Sequence, residues 1–187
     1  MPAWPPEQGQ WTYEDWLRLP DDGFHYEVLD GVLYMVPPPS VRHQLASHNL
    51  GVALGVFVRQ HQLGTVLSAP CGVRLPGQPI PVQPDIFFVH ADRRQIIGEE
   101  YVEGAPDLVV EILSPSNWLY DRKEKFFAYQ SAGVREYWIV DPRARTIEIF
   151  TLEAGTYTLQ GKFESGERVS SQAVAGFEMT VDEVFAE

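Results

Sequence analysis

The run Leu108-Val109-Val110-Glu111-Ile112-Leu113 constrains this chain more than any other segment. Side chains alternate across a strand, so a strand that is apolar at consecutive positions has both faces buried. It belongs inside a sheet with cover on each side, which predicts helices packed on the faces. Glu111 interrupts the run, with two apolar neighbours before it and two after it. An ionised carboxylate at such a position is costly unless it is paired or bound to a metal.

The flanking segments fit that sheet. Thr12 reads as the N-cap of a short helix over residues 13–18, stopped by Pro20. Strands at 24–29 and 32–36, joined through Asp30-Gly31, read as a hairpin. Ser40 caps a long helix running to about residue 61, with Ala46, Leu50, Ala53, Leu54, Phe57 and Val58 on one apolar face. Strands follow at 65–68, 72–75 and 82–89, then a charged variable stretch over 90–104. The loop Ser114-Pro115-Ser116-Asn117 leads into a helix over 121–131, closed by Ala132-Gly133. Strands at 136–140 and 146–152 come next. Strand pieces near 157–159, 168–171 and 177–179 precede a short helix from Asp182.

The expected class is therefore α/β (α+β mixed sheet): a central mixed sheet flanked by helices, with an N-terminal helix and hairpin and a C-terminal β extension. Length predicts one domain over 1–187, and Pro2, Pro5 and Pro6 predict a loose leader over 1–11.

Charge argues first against a nucleic-acid partner: 14 Lys+Arg face 26 Asp+Glu, a net charge of -12. The excess lies at the ends. Residues 1–30 hold seven acids and one base, residues 146–187 eight acids and two bases, and residues 31–145 eleven of each. The neutral central body does not exclude DNA; it predicts weak, salt- and metal-sensitive binding. One cysteine, Cys71, rules out an internal disulfide and reads as a small buried hydrophobe. No apolar run approaches a membrane span, and a cytoplasmic location is the default expectation. Neither common Gly-rich nucleotide loop occurs.

Two more acids stand at apolar strands. Asp85 precedes Ile86-Phe87-Phe88-Val89, and Glu27 lies in the first hairpin. Three carboxylates reaching one region suit a hard divalent cation. Lysines are scarce, and two of the three, Lys123 and Lys125, follow the Glu111 strand. Asp121, Lys125 and Tyr129 share one face of the predicted helix, whereas Lys123 points elsewhere. His43 and His48 are five apart, a poor spacing for zinc. Arg42 and His43 open the long helix, placed either to touch phosphate or as a solvated helix end.

These residues resemble a known family. Tyr26-Glu27-Val28-Leu29-Asp30-Gly31, Pro38-Pro39-Ser40 with Arg42-His43, Gln83-Pro84-Asp85-Ile86 and Gly104-Ala105-Pro106-Asp107 through Ser116 look like the Uma-type family of putative restriction endonucleases. So do Asp121 with Lys125 and Tyr129, and Ala132-Gly133-Val134-Arg135-Glu136-Tyr137-Trp138. That family falls in the PD-(D/E)XK nuclease superfamily, and the resemblance spans residues 12–185. It implies a restriction-endonuclease-like core, with Asp85 as the motif aspartate and Glu111 as the strand acid. The lysine expected two residues after Glu111 is absent, since that position is Leu113. The resemblance implies a migrated lysine, Lys125, with Lys123 competing. The literal Asp121-Arg122-Lys123 motif lies on a helix, where residues two apart do not face each other.

The site implied is Asp85, Glu111, Lys125 and Glu27. Mg²⁺, with Mn²⁺ as a substitute, would be held by Asp85, Glu111 and the Ile112 carbonyl, with Glu27 completing the acidic cluster. Tyr129 and Gln83 would stand behind it. Asp107 shares parity with Glu111 but reads better as a cap at the strand start. The expected function is metal-dependent hydrolysis of DNA phosphodiester bonds, by a chain that could work as a homodimer or higher oligomer. The alternative is a catalytically weak or inactive nuclease-fold module that binds or regulates.

Overall fold

Leu108–Ile112 is buried at every position and lies inside a six-stranded sheet. The structure is a computed structural model that describes residues 4–22, 24–36, 38–78, 80–114 and 120–187. Most of the loop expected at 114–117 lies outside the described residues. In chain order the elements are α1 (Tyr13–Trp16), β1 (His25–Leu29), β2 (Val32–Val36), α2 (Val41–Gln60), β3 (Gly64–Ser68), β4 (Gly72–Arg74) and β5 (Ile86–His90). A 3₁₀ helix (Ala91–Ile96), β6 (Tyr101–Glu103), β7 (Leu108–Ile112) and a π-helix (Tyr120–Lys125) follow. Then come α3 (Phe126–Ala132), β8 (Glu136–Asp141), β9 (Thr146–Glu153), β10 (Thr156–Phe163), β11 (Arg168–Ser170), β12 (Glu178–Thr180) and α4 (Val181–Val184).

The sheet order is β10-β9-β8-β7-β5-β3. β7 and β8 run parallel, joined through α3, and the other neighbours are antiparallel. Alternation along β7 sends Leu108, Val110 and Ile112 into a core with Leu50 and Leu54 of α2 and Val181 and Val184 of α4. Val109 and Leu113 go to the opposite core, with Ala128 and Tyr129 of α3 and Leu29 of the hairpin. The cover on both faces that the apolar run demanded is present. Each fully buried aliphatic side chain contributes roughly 1.5–3 kcal/mol over its exposed state.

Capping explains several boundaries. Thr12 and Asp15 form a capping box at α1, and Ser40 accepts the His43 N–H at the start of α2. Asp30 and Gly31 both take positive φ (50° and 73°), as a two-residue hairpin turn requires. A Cβ on Gly31 would lie 2.6 Å from the Gly9 carbonyl oxygen. The segment from Gln8 onward, within the expected leader, lies against the hairpin. Gly9 and Trp11 N–H both donate to the Gly31 carbonyl, and Gln8 brackets the Leu33 backbone.

Three further boundaries differ from the sequence reading. The strand expected over 82–89 begins only at Ile86, because Pro81 and Pro84 cannot donate to a ladder; Val82 makes an isolated bridge to Val73. The variable stretch 90–104 contains the 3₁₀ helix and β6, which pairs in parallel with β4. The helix expected over 121–131 is wound as a π-helix through Lys125 and becomes α-helical only at Phe126. Such turns are rare and are frequently found at functional sites.

Two buried acids outside the site pin the frame. Asp107 caps the start of β7: it accepts the His90 N–H and faces Arg93 at 2.9 Å and Arg135 at 3.4 Å. This is the capping role expected of it. Glu136, at the start of β8, accepts from Trp138 Nε1, the Ser171 hydroxyl and the Ala173 N–H. Burial raises its pKa above the ordinary carboxylate range while these donors oppose the shift. They tie the C-terminal extension to the sheet. Glu136→Ala leaves two buried donors and one half-buried donor without their acceptor and should lower unfolding free energy by about 2–3 kcal/mol in chemical denaturation.

Candidate active site

Glu111 shares its face of β7 with Val109 and Leu113, so its carboxylate enters the core beneath α3 and the hairpin. Lys125 Nζ lies 3.1 Å from Glu111 Oε2, and the Tyr129 hydroxyl donates to Glu111 Oε1 at 2.6 Å. Burial, and then the negative charge of Glu111, push the Tyr129 hydroxyl well above the ordinary phenol range. It therefore stays protonated and able to donate. Four residues separate Lys125 from Tyr129, which brings both onto one carboxylate.

Lys125 also faces Glu27 on β1. Nζ is 3.2 Å from Glu27 Oε2, while the hydrogen-bond direction favours Oε1 at 3.5 Å, a looser contact than that to Glu111. Lys125 is 4% exposed. At an effective dielectric of ~20, each ion pair attracts by about 5 kcal/mol before desolvation, and burying each ion costs several kcal/mol in return. The pairing thus fixes geometry more than it adds stability. Removing the cation is the expensive change.

Asp85 stands just before β5. The β5–β7 register ends at Ile86 opposite Val110, so the next N–H on that side of β7 belongs to Ile112. Asp85 Oδ2 accepts it at 2.7 Å, a carboxylate taking the place of a strand carbonyl. His43 Nε2 lies 3.3 Å from the same oxygen. Asp85 also lines a groove of about 380 Å³ between α2 and β3, whose wall includes His48, Gly51 and Gly55. The site therefore straddles the end of the sheet, with His43 on the α2 side and Glu111, Lys125 and Glu27 on the α3 side.

Of the residues expected at the site, Glu27, Glu111 and Lys125 come together, and Asp85 joins them through the Ile112 backbone. Lys123 does not: its side chain is 66% exposed and its Nζ lies 3.6 Å from Glu124. The side chain of Asp121 is outside the described residues. Gln83 is half-buried, two residues before Asp85. Among the described residues no three His, Cys, Asp or Glu side chains are grouped as a metal site, and Lys125 contacts both Glu27 and Glu111. The sequence reading missed His43 as the partner of Asp85. The signal was its place on the α2 stripe of Ala46, Leu50 and Leu54, three, seven and eleven residues on.

The six-stranded mixed sheet covered by helices carries Glu27, Glu111 and Lys125 together on one face. The model of the Uma2 family, described as putative restriction endonuclease, matches residues 13–182, and the chain belongs to that family. Among solved structures it is similar to a putative nuclease belonging to DUF820 from Anabaena variabilis, with a TM-score of 0.74 and 19% identity over 93% of this chain and 97% of that one. No curated protein matches the chain.

Lys125→Met removes the ammonium that faces the buried Glu111 and the half-buried Glu27 and should cost about 3–5 kcal/mol in denaturant unfolding. Lys123→Met, at an exposed position, should change stability by no more than about 0.5 kcal/mol.

Proposed function

We propose that this protein is a Mg²⁺-dependent endonuclease that hydrolyses DNA phosphodiester bonds. The contact of Lys125 with Glu111 carries the reading: a cation at 3.1 Å from the strand acid, where the motif lysine is missing from β7. Family membership adds the nuclease class.

The donors suit a hard cation. Asp85 Oδ1 makes no hydrogen bond among the described residues, on a side chain that borders the groove. The N–H and C=O of one strand residue face the same side, so the Ile112 carbonyl shares the Asp85 side of β7. Mg²⁺ commonly uses one or two carboxylates and completes its shell with water and substrate phosphate. Asp85, Glu111 and the Ile112 carbonyl fit that pattern, and Mn²⁺ substitutes on the same donors. Glu27 fits a different role, as the anchor of Lys125. When bound, the metal polarises the phosphoryl oxygen and makes hydroxide available at neutral pH.

The chain's own groups do the rest. Lys125 offers donors to the attacking water or to a non-bridging oxygen, offsetting charge that develops during in-line attack. Glu27 holds that ammonium on the site side of α3. Tyr129 orients the Glu111 carboxylate, and His43 with the Ile112 N–H orients Asp85.

Supercoiled plasmid incubated with Mg²⁺ or Mn²⁺ should be nicked or cut. Asp85→Asn and Glu111→Gln should each reduce the rate by at least about a hundredfold while circular dichroism stays that of the parent. Absence of cleavage on supercoiled, linear and single-stranded DNA with both ions overturns the reading. A calorimetric titration that also shows no Mn²⁺ binding would then favour the nuclease-fold binding module.

A further inference from the structure

A second concavity lies on the other flank of α2. It has a volume of about 130 Å³, and Arg42, Arg143 and Arg145 line it together with Phe185 and Glu187. Three of the chain's eleven arginines therefore converge on one pocket of a protein whose net charge is -12. All three are exposed. The uneven placement of charge gains a structural meaning here, since these bases come from the balanced central segment.

We propose that this pocket binds a backbone phosphate of the DNA substrate at a distance from the phosphate being cleaved; the inference rests on the nuclease reading above. Arg42 is the chain neighbour of His43, which touches Asp85. Arg143 follows β8 by two residues, and Val140 of β8 pairs with Ile112 and accepts the Leu113 N–H at 2.8 Å. The pocket and the candidate active site thus occupy the same end of the sheet, on either side of the first turns of α2.

The three arginines are not equivalent. Arg145 is held by α4 and the segment after it: its guanidinium lies 5.5 Å over the Phe185 ring, donates to the Phe185 carbonyl at 3.4 Å, and sits 3.9 Å from Asp182. Its donors are partly used, and its position is set before a ligand arrives. Among the described residues neither Arg42 nor Arg143 pairs with a carboxylate. The first turn of α2 carries Arg42 and no acid, so the helix's own positive end adds to the potential. Glu187 also lines the pocket and brings a negative charge to it. Guanidinium forks suit phosphate oxygens, which they can grip with two parallel hydrogen bonds. Such contacts position a strand without reading its sequence.

The test measures binding apart from cutting. Fluorescence anisotropy with a labelled duplex and a labelled single strand is run in the Glu111→Gln background with Mg²⁺, across a salt series. Arg42→Ala and Arg143→Ala should each weaken binding by roughly tenfold and lower the slope of log affinity against log salt by about one. Arg59→Ala, at the far end of α2, should do neither. Unchanged affinity and slope in both pocket variants, or no binding of either DNA at low salt, overturns the proposal. Cleavage by the parent chain that both variants retain in full would leave the nuclease reading standing and sink this one. Arginine-dependent binding by a chain that never cleaves would do the reverse.

Discussion

The ammonium of Lys125 between Glu111 and Glu27 is the contact on which the site depends. A strand buried on both faces has no solvent for a carboxylate, so Glu111 needs a cation, and the π-helix leading into α3 supplies it through Lys125. The π-wound turn that ends at Lys125 precedes the α-helical turn that carries Tyr129 onto the other oxygen of Glu111. The hairpin is drawn in by the same charge, through Glu27. Three elements far apart in sequence are thereby registered to one end of β7.

Asp85 solves a separate problem with a similar economy. The ladder between β5 and β7 stops where Pro84 ends the donor series, and the Asp85 side chain satisfies the next N–H on β7. The acid is thus fixed by the sheet's own hydrogen bonding, next to the residue that follows Glu111. His43, on the buried stripe of α2, closes it from the other face. The result is a pair of acids with different partners, one bound to a buried lysine and one facing a groove.

Much of this was legible in the residues. The apolar run around Glu111 dictated a sheet covered on both sides. The Asp30-Gly31 turn, the Ser40 cap and the α2 stripe located the hairpin and the long helix. Lys125 and Lys123 were both candidates in the residues, Lys125 through the resemblance and the face it shares with Tyr129; in the structure Lys125 lies against Glu111 and Lys123 is exposed. What was not legible depended on tertiary contacts. The π-winding leaves no periodic mark in six residues, and β10 has too few buried positions to show its full length as a strand. The arginine pocket joins α2, the turn after β8 and the chain's last residues, a conjunction that only the fold reveals. Glu27 reads from sequence as a metal ligand, since nothing local says that a lysine will reach it first.

The central claim is that Asp85 and Glu111 form one cation site whose charge balance is set by Lys125. A crystal structure of the protein soaked in Mn²⁺, with anomalous scattering, tests it most directly. The account predicts an anomalous peak bonded to carboxylate oxygens of both Asp85 and Glu111, with Lys125 still in contact with Glu27. A peak on Glu27 and Glu111 with Lys125 displaced, or no peak near either acid at a saturating concentration of the ion, would contradict it.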